Sequence, residues 1–245
     1  MAIHAAHSPA AGSSTAQGHP DTLVIVPMFN EASVITEVVA DLRQVFSHVV
    51  CVDDGSGDDS AHMAGLAGAH VVSHPVNLGQ GAALQTGLAY GLRHPFEYFV
   101  TFDADGQHTL ADTLRMLDEA RGGDVDIVLG SRFLGSGLAG MPVLRRVVLR
   151  AGVTFTRATT RLRLTDTHNG LRVMNRRTAS ILNLRLSGMA HASEILTTIA
   201  RHHLRYTEVP VTVLYTDYSM AKGQSSINAV NILFDLLLTR ARYAR

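Results

Sequence analysis

The chain is short of the features that usually assign a protein at sight. It has one cysteine, Cys51, set in the apolar run Val49-Val50-Cys51-Val52, so no disulfide framework can form and a reducing, cytosolic compartment is expected. Acidic and basic residues balance at 21 each, which leaves no global electrostatic case for binding nucleic acid. Met1 to Pro20 holds no apolar block long enough for the core of a signal peptide. The apolar stretch Ile227 to Arg245 is too short, and too interrupted by Asn228, Asn231 and Asp235, to span a bilayer. Two glycine motifs are missing as well. The turn after the first apolar run carries Pro27 and no Gly-x-Gly-x-x-Gly, which excludes a dinucleotide cradle there, and no Gly-Lys-Ser or Gly-Lys-Thr closes a phosphate loop.

What is present is apolar material in quantity. With 46% hydrophobic and 17% charged positions, the 245 residues can bury one large core, so one domain is expected rather than two. We place it over 21–224, after a disordered leader over 1–20 rich in Ala, Ser, Gly, His and Pro. His4, His7 and His19 read as solvated residues of that leader. Residues 225–245 read as an amphipathic helix, with Val230, Leu233, Phe234, Leu237 and Leu238 on one stripe and Arg240, Arg242 and Arg245 after it. Such a helix packs on the domain or lies on an anionic membrane surface.

Buried strands and helices alternate along the domain. Thr22 to Pro27 is a β-branched apolar run stopped by proline; Val34, Ile35, Val38, Val39, Leu42, Val45 and Phe46 then recur at helical spacing, with Asn30 as the expected cap. Val49 to Val52 is the second strand and His70 to Ser73 the third, separated by a helix over Ser60 to Gly68. A helix from Ala82 to about Leu92 leads to a fourth strand at Phe99, a helix over Leu110 to Ala120 to a fifth at Ile127 to Gly130, and Val143 to Leu162 is again helical. This alternation predicts an α/β fold, a mostly parallel central sheet with helices on both faces, whose ligand lies at the carboxyl ends of the strands.

The fourth strand is the one the rest is arranged around. Its apolar run ends in Asp103-Ala104-Asp105-Gly106-Gln107-His108. In extended backbone the side chains alternate, so Asp103 and Asp105 project to one side and Ala104 turns away. Two hard anionic groups facing one spot suit Mg²⁺ or Mn²⁺ that also binds phosphate oxygens and water. Pro27-Met28-Phe29-Asn30-Glu31 and Asp53-Asp54 end the first and second strands at the same edge. Acidic groups without a glycine cradle must hold a diphosphate through a cation, and a carboxylate such as Asp54 can accept hydrogen bonds from a base or ribose. The ligand implied is a nucleoside diphosphate linked to something.

The chain resembles family 2 glycosyltransferases with the GT-A fold, in the polyprenyl-phosphate glycosyltransferase branch that includes dolichyl-phosphate mannose synthases. Seven ordered motifs carry the resemblance: Pro27-x-x-Asn30-Glu31, Asp53-Asp54-Gly55-Ser56-x-Asp58, Asn77-Leu78-Gly79-Gln80-Gly81, Asp103-Ala104-Asp105-Gly106-Gln107, Gly130-Ser131-Arg132-Phe133, Asp166-x-x-Asn169-Gly170-Leu171-Arg172 and Glu208-Val209-Pro210-Val211. It implies a metal-dependent, inverting transfer of a sugar from a UDP- or GDP-linked donor. By position it implies that Pro27, Phe29, Asn30, Glu31, Asp53, Asp54 and Gly79 border the nucleoside, and that Asp103, Ala104, Asp105 and Gln107 border the diphosphate. Asp103, Asp105 and Gln107 would hold Mg²⁺ or Mn²⁺. Arg132 and Arg145 or Arg146 become candidates to meet phosphates, a bidentate task that suits guanidinium.

The resemblance puts Asp166, His168, Asn169 and Arg172 on the acceptor side, with Glu194 a second acidic candidate for catalysis beside Asp105 and Asp166. A sugar hydroxyl acceptor needs a general base, whereas a lipid phosphate is already ionised at neutral pH. After Pro210 the chain departs from the synthases, and Lys222 is the remaining candidate cation for the leaving diphosphate, on a segment that reads as a mobile lid. The acceptor expected is a polyprenyl phosphate or a lipid-linked or envelope saccharide. Many relatives add membrane-spanning helices where this sequence stops, so a cytoplasmic enzyme is expected, reaching the membrane peripherally or through a membrane partner protein. Two other readings compete: a non-catalytic nucleotide-sugar-binding scaffold, and a sugar-phosphate nucleotidyltransferase, which would need a glycine-rich loop with Arg and Lys after the first strand.

Overall fold

A computed structural model describes residues 18–134, 143–167, 169–186 and 190–214, without the side chains of 143–145, 147, 148 and 155. The sequence readings for residues 1–17, the Arg145 side chain, His168, Lys222 and the segments 215–224 and 225–245 lie outside the described residues.

The strands are β1 (Thr22–Met28), β2 (His48–Asp53), β3 (His70–Ser73), β4 (Tyr98–Thr101), β5 (Ile127–Ser131), β6 (Arg172–Asn175) and β7 (Tyr206–Pro210). The helices are α1 (Ile35–Val45), α2 (Ser60–Leu66), α3 (Gln80–Leu92), α4 (Leu110–Gly122), α5 (Val143–Thr160), α6 (Arg176–Ile181) and α7 (Ala190–Arg201). The seven strands form one sheet in the order β3-β2-β1-β4-β6-β5-β7. Every neighbouring pair is parallel except those of β6, which runs antiparallel to β4 and β5. The mostly parallel α/β sheet expected from the sequence is therefore present, with one reversed strand that its short apolar run did not announce.

Strand alternation explains the two cores. Val24, Val26 and Met28 of β1 and Val49 and Cys51 of β2 face α1, α2 and α4, whereas Leu23, Ile25, Val50 and Val52 face α3, α6 and α7. Burying both faces in this way supplies most of the driving force, at roughly 25 cal/mol per Å² of apolar surface. On α3 the approach is close enough to demand glycine: a Cβ on Gly87 would stand 2.3 Å from Ile25, and one on Gly91 would stand 2.5 Å from Leu23 and Phe99.

Three local expectations change. Asn30 does not cap α1, which begins at Ile35 with Val34 at its N-cap and no side-chain cap bond. Asn30 instead adopts a left-handed φ of 54° and accepts from the Gly57 N–H at 2.9 Å, tying the β1 turn to the β2 turn. His19 is no solvated leader residue. Its ring lies 5.4 Å from that of Phe46, its Nδ1 is 2.8 Å from Arg121 Nη1, and Gly18 accepts from the Ser47 hydroxyl, so the ordered domain reaches back at least to residue 18.

Candidate active site

A cavity of about 420 Å³ opens at the carboxyl ends of β1, β2 and β4. This is where the sheet order reverses, the chain passing from β1 outward to β2 on one side and to β4 on the other. The β1 end contributes Pro27, Met28, Phe29 and Glu31. Glu31 is buried, its backbone N–H given to Ser60 Oγ at 2.7 Å, and Phe29 is 39% exposed.

The β2 end contributes Asp54, and the loop before α3 contributes Asn77, Gly79 and Gln80. Asp54 holds that loop: Oδ1 accepts from the Leu78 N–H at 2.9 Å, Oδ2 from the Gly79 N–H at 2.7 Å, and Oδ1 also meets His74 Nδ1 at 2.8 Å. The other His74 nitrogen is 2.9 Å from the Thr86 hydroxyl. A carboxylate offers about four acceptor positions, so Asp54 keeps little capacity for a ligand. Asp53 lies off the cavity. Its carboxylate accepts from the Ser56 N–H at 3.2 Å and serves the turn.

The β4 end contributes Asp103, Ala104 and Asp105. β4 stops at Thr101, so strand alternation does not orient the aspartates. A turn does, closed by Gly106 at φ 71°. Both carboxylates still border one cavity while Ala104 packs into the core. Burial pushes the Asp105 carboxyl up to about 6, the negative charge of Asp103 adds to this, and Glu31 contributes less. Burial works the same way on Asp103, but the hydrogen bond from His108, with the charges of His108, Arg172 and His191, outweighs it and holds that carboxyl below its ordinary value. One carboxylate is thus compensated by the protein and its neighbour is not.

This donor set fits a hard divalent cation in part. Among the described residues no group of three His, Cys, Asp or Glu side chains could hold a metal alone. Two carboxylates with phosphate and water oxygens completing the shell is the arrangement Mg²⁺ and Mn²⁺ accept. Gln107 does not border the cavity. Its N–H supports Asp105 Oδ1 at 3.1 Å and its carbonyl accepts from the Leu214 N–H at 2.9 Å, so what it contributes here is backbone.

The residues expected at the acceptor side are held differently from what the sequence suggested. Arg132 and Asp166 are buried against each other, Nε to Oδ2 and Nη2 to Oδ1 both at 2.7 Å. Glu208 on β7 fastens the same loop, accepting from the Thr165 and Asp166 N–H groups at 2.9 and 3.1 Å. Two N–H groups of the Arg132 fork and both Asp166 oxygens are therefore engaged with each other. Arg172 is buried between charges, drawn below its ordinary value by burial that Asp103 and Asp166 only partly offset. Glu194, on α7, borders a separate cavity of about 400 Å³ with Arg185 and Arg201, and its Oε2 accepts from the Arg185 and Leu186 N–H groups at 2.9 Å each. Arg146, on α5, is half-buried and does not border the cavity at the sheet edge.

The sequence assigns Gln80, His108, His74 and Gly170 no individual role. Gln80 and Gly170 stand inside two of the motifs and His108 directly follows another, but the contacts that the Gln80 and His108 side chains and the Gly170 backbone make come from other elements and leave no spacing signal.

The model of glycosyl transferase family 2 matches residues 23–179. The chain is 28% identical over 239 residues to UDP-N-acetylglucosamine–dolichyl-phosphate N-acetylglucosaminyltransferase of Methanococcus voltae, covering 89% of this chain and 95% of that one. It is 27% identical over 240 residues to polyprenol monophosphomannose synthase of Mycolicibacterium smegmatis, covering 92% and 90%. Glucosyl-3-phosphoglycerate synthase of Mycobacterium tuberculosis, solved with Mn²⁺ and uridine-diphosphate-glucose, superposes with a TM-score of 0.63 at 20% identity, covering 89% of this chain and 78% of that one, a likeness of fold. With the sheet, the acidic cavity at its carboxyl edge and the family match in agreement, the chain belongs to glycosyl transferase family 2 and is a glycosyltransferase built on the GT-A fold.

Proposed function

We propose that this glycosyltransferase moves one sugar from a nucleoside-diphosphate sugar to a polyprenyl-type lipid phosphate, with inversion at the anomeric carbon. The observation that carries the reading is the pair Asp103 and Asp105 on one cavity, with Asp105 drawn up to about 6 by burial and its neighbour's charge. Such a site is short of positive charge and gains from a cation that arrives with a diphosphate.

The base and ribose lie along Pro27, Phe29 and Glu31, and the diphosphate lies toward Asp103 and Asp105. Mg²⁺ or Mn²⁺ held by these two carboxylates would neutralise the diphosphate as it leaves. Asp54 and His74 keep the Asn77 to Gln80 wall in position, and Arg132 and Asp166 brace the loop that leads to Arg172.

A phosphate acceptor suits this arrangement because it requires no base. Among the described residues the carboxylates bordering the cavity are Glu31, Asp54, Asp103 and Asp105; Asp54 keeps little capacity beyond the loop it holds, and the two candidates for a base, Asp166 and Glu194, are engaged elsewhere. The Methanococcus and Mycolicibacterium relatives are named for dolichyl phosphate and polyprenol. Their sugars differ, so the donor sugar stays open between UDP- and GDP-linked forms. No helix among the described residues is long and apolar enough to cross a membrane.

The test is thermal unfolding with UDP, GDP and their sugars, each with Mn²⁺ or EDTA, followed by transfer from the donor that stabilises to undecaprenyl phosphate. A metal-dependent shift with one nucleotide and product that retains the lipid phosphate support the reading. A shift with none, or transfer only to a free saccharide, overturns it.

A further inference from the structure

Asp103 is held from three sides. Gln80, in the first turn of α3, donates from Nε2 to Oδ1 at 3.2 Å, and His108, in the loop before α4, meets Oδ2 with Nε2 at 3.0 Å. Gly170, just before β6, backs the carboxylate so closely that a Cβ there would stand 1.9 Å from Oδ2 and 2.3 Å from Cγ. The Gly170 carbonyl is itself fixed by the Thr101 hydroxyl at 2.6 Å. Three separate segments of chain thus meet on one carboxylate that remains 28% exposed.

The state of His108 argues that this contact is what its ring is for. A carboxylate only accepts, so Nε2 carries the proton. The opposite nitrogen, Nδ1, is buried with no hydrogen-bond partner, and the ring stands edge-on to Phe102 with centroids 5.4 Å apart. Leaving a buried ring nitrogen unpaired carries its full desolvation penalty, a cost that simple packing would avoid by using an apolar side chain. Asp105, by contrast, accepts from one backbone N–H at 3.1 Å.

We infer that Gln80, His108 and Gly170 form a clamp that fixes the Asp103 carboxylate, and that they are positioning residues for the metal-diphosphate end of the donor site. The inference rests on the donor-site reading given above. Because Gln80 also belongs to the wall made by Asn77 and Gly79, the clamp sets the distance between that wall and Asp103, so the two present one preformed surface.

The experiment is Mn²⁺ binding to the full chain in the presence of UDP and, separately, GDP, followed by the electron paramagnetic resonance signal of free Mn²⁺, with metal-free melting as the check on folding. Outer partners of metal ligands are worth about 10- to 100-fold in affinity, so His108→Leu, Gln80→Leu and Gly170→Ala should each weaken Mn²⁺ binding by about tenfold or more. His108→Gln, which keeps a donor, should recover most of the loss. Asp105→Asn separates the two levels of the claim. If Asp105→Asn binds Mn²⁺ like the parent protein, the donor-site reading fails. If it loses binding while Gln80→Leu, a half-buried position, binds like the parent, the clamp is wrong and the donor site stands. A His108→Gln variant as weak as His108→Leu would likewise overturn the part given to His108.

Discussion

Arg132 and Asp166 face each other across a buried gap with two parallel hydrogen bonds of 2.7 Å, and the Arg132 N–H adds a third to the same carboxylate at 3.1 Å. A pair of this kind contributes little relative to apolar residues of the same shape, but breaking it leaves one charge buried and uncompensated. Asp166→Ala should therefore lose about 3–5 kcal/mol of stability, and Arg132→Met with Asp166→Leu together should lose much less than the sum of the single changes. Urea unfolding of the parent, Arg132→Met, Asp166→Leu and the double variant closes the cycle. If Asp166 were a general base instead, activity per folded molecule would collapse with little change in unfolding midpoint.

The Asp105 carboxyl supplies a pH dependence of known sign. Its folded value of about 6 lies above the ordinary carboxylate value of 3.8, so the native state holds the extra proton more tightly than the unfolded chain. The stability due to this group is fully present below pH 3.8 and is lost as pH rises through about 6. A cation binds the ionised form, so stabilisation by Mn²⁺ and nucleoside diphosphate should grow over the same interval. Melting curves in EDTA and in Mn²⁺ should diverge as pH increases, and Asp105→Asn should remove the divergence.

Arg176 ends α3. Its guanidinium donates to the carbonyls of Leu92, His94 and Phe96 at 2.7, 2.6 and 2.9 Å, satisfying one acceptor that the helix end leaves open and two of the loop that follows it. Arg176→Ala should cost about 2–3 kcal/mol. The contact is far from the cavity, so kcat should be unchanged below the new melting point, and Arg176→Lys, with one compact head, should recover only part of the loss.

Cys51 is fully buried in β2, and burial pushes its thiol up to about 12. The thiolate is the reactive form, so a thiol reagent should leave the native protein unlabelled at neutral pH and label one site on unfolding. Rapid labelling with loss of activity in native buffer would show Cys51 to be reachable.

Much of the fold was legible because it depends on short-range pattern. The runs Thr22 to Pro27 and Val49 to Val52 are β-branched and bounded by turn residues, and α1 repeats its apolar residues at the spacing of one helix face. β6 was harder: four residues before a helix, reversed in direction, carry no local mark of that reversal. The site divides in the same way. Asp103, Asp105, Glu31 and Phe29 all border the cavity, and that convergence was legible because they follow strands whose carboxyl ends lie at one edge. The parts given to Asp166 and Gln107 came from the family resemblance and that of Glu194 from its being acidic, and neither says whether a side chain reaches the cavity or meets a neighbour.

By itself, then, the sequence determined the mostly parallel α/β architecture and the sheet edge at which the acidic pair meets a cavity, since each follows from periodicity and from where apolar runs stop. Tertiary structure alone decided which polar groups are free. β6 enters the sheet antiparallel with Arg172 opposite Thr101, and this sets the residues preceding it, Gly170 included, beside the end of β4. Asp103 acquires its back wall, Arg132 acquires Asp166, and Asp105 is left with the unmet charge. The physical reason is that a carboxylate's capacity to bind a ligand depends on the donors and charges already around it, and those come from segments tens of residues away.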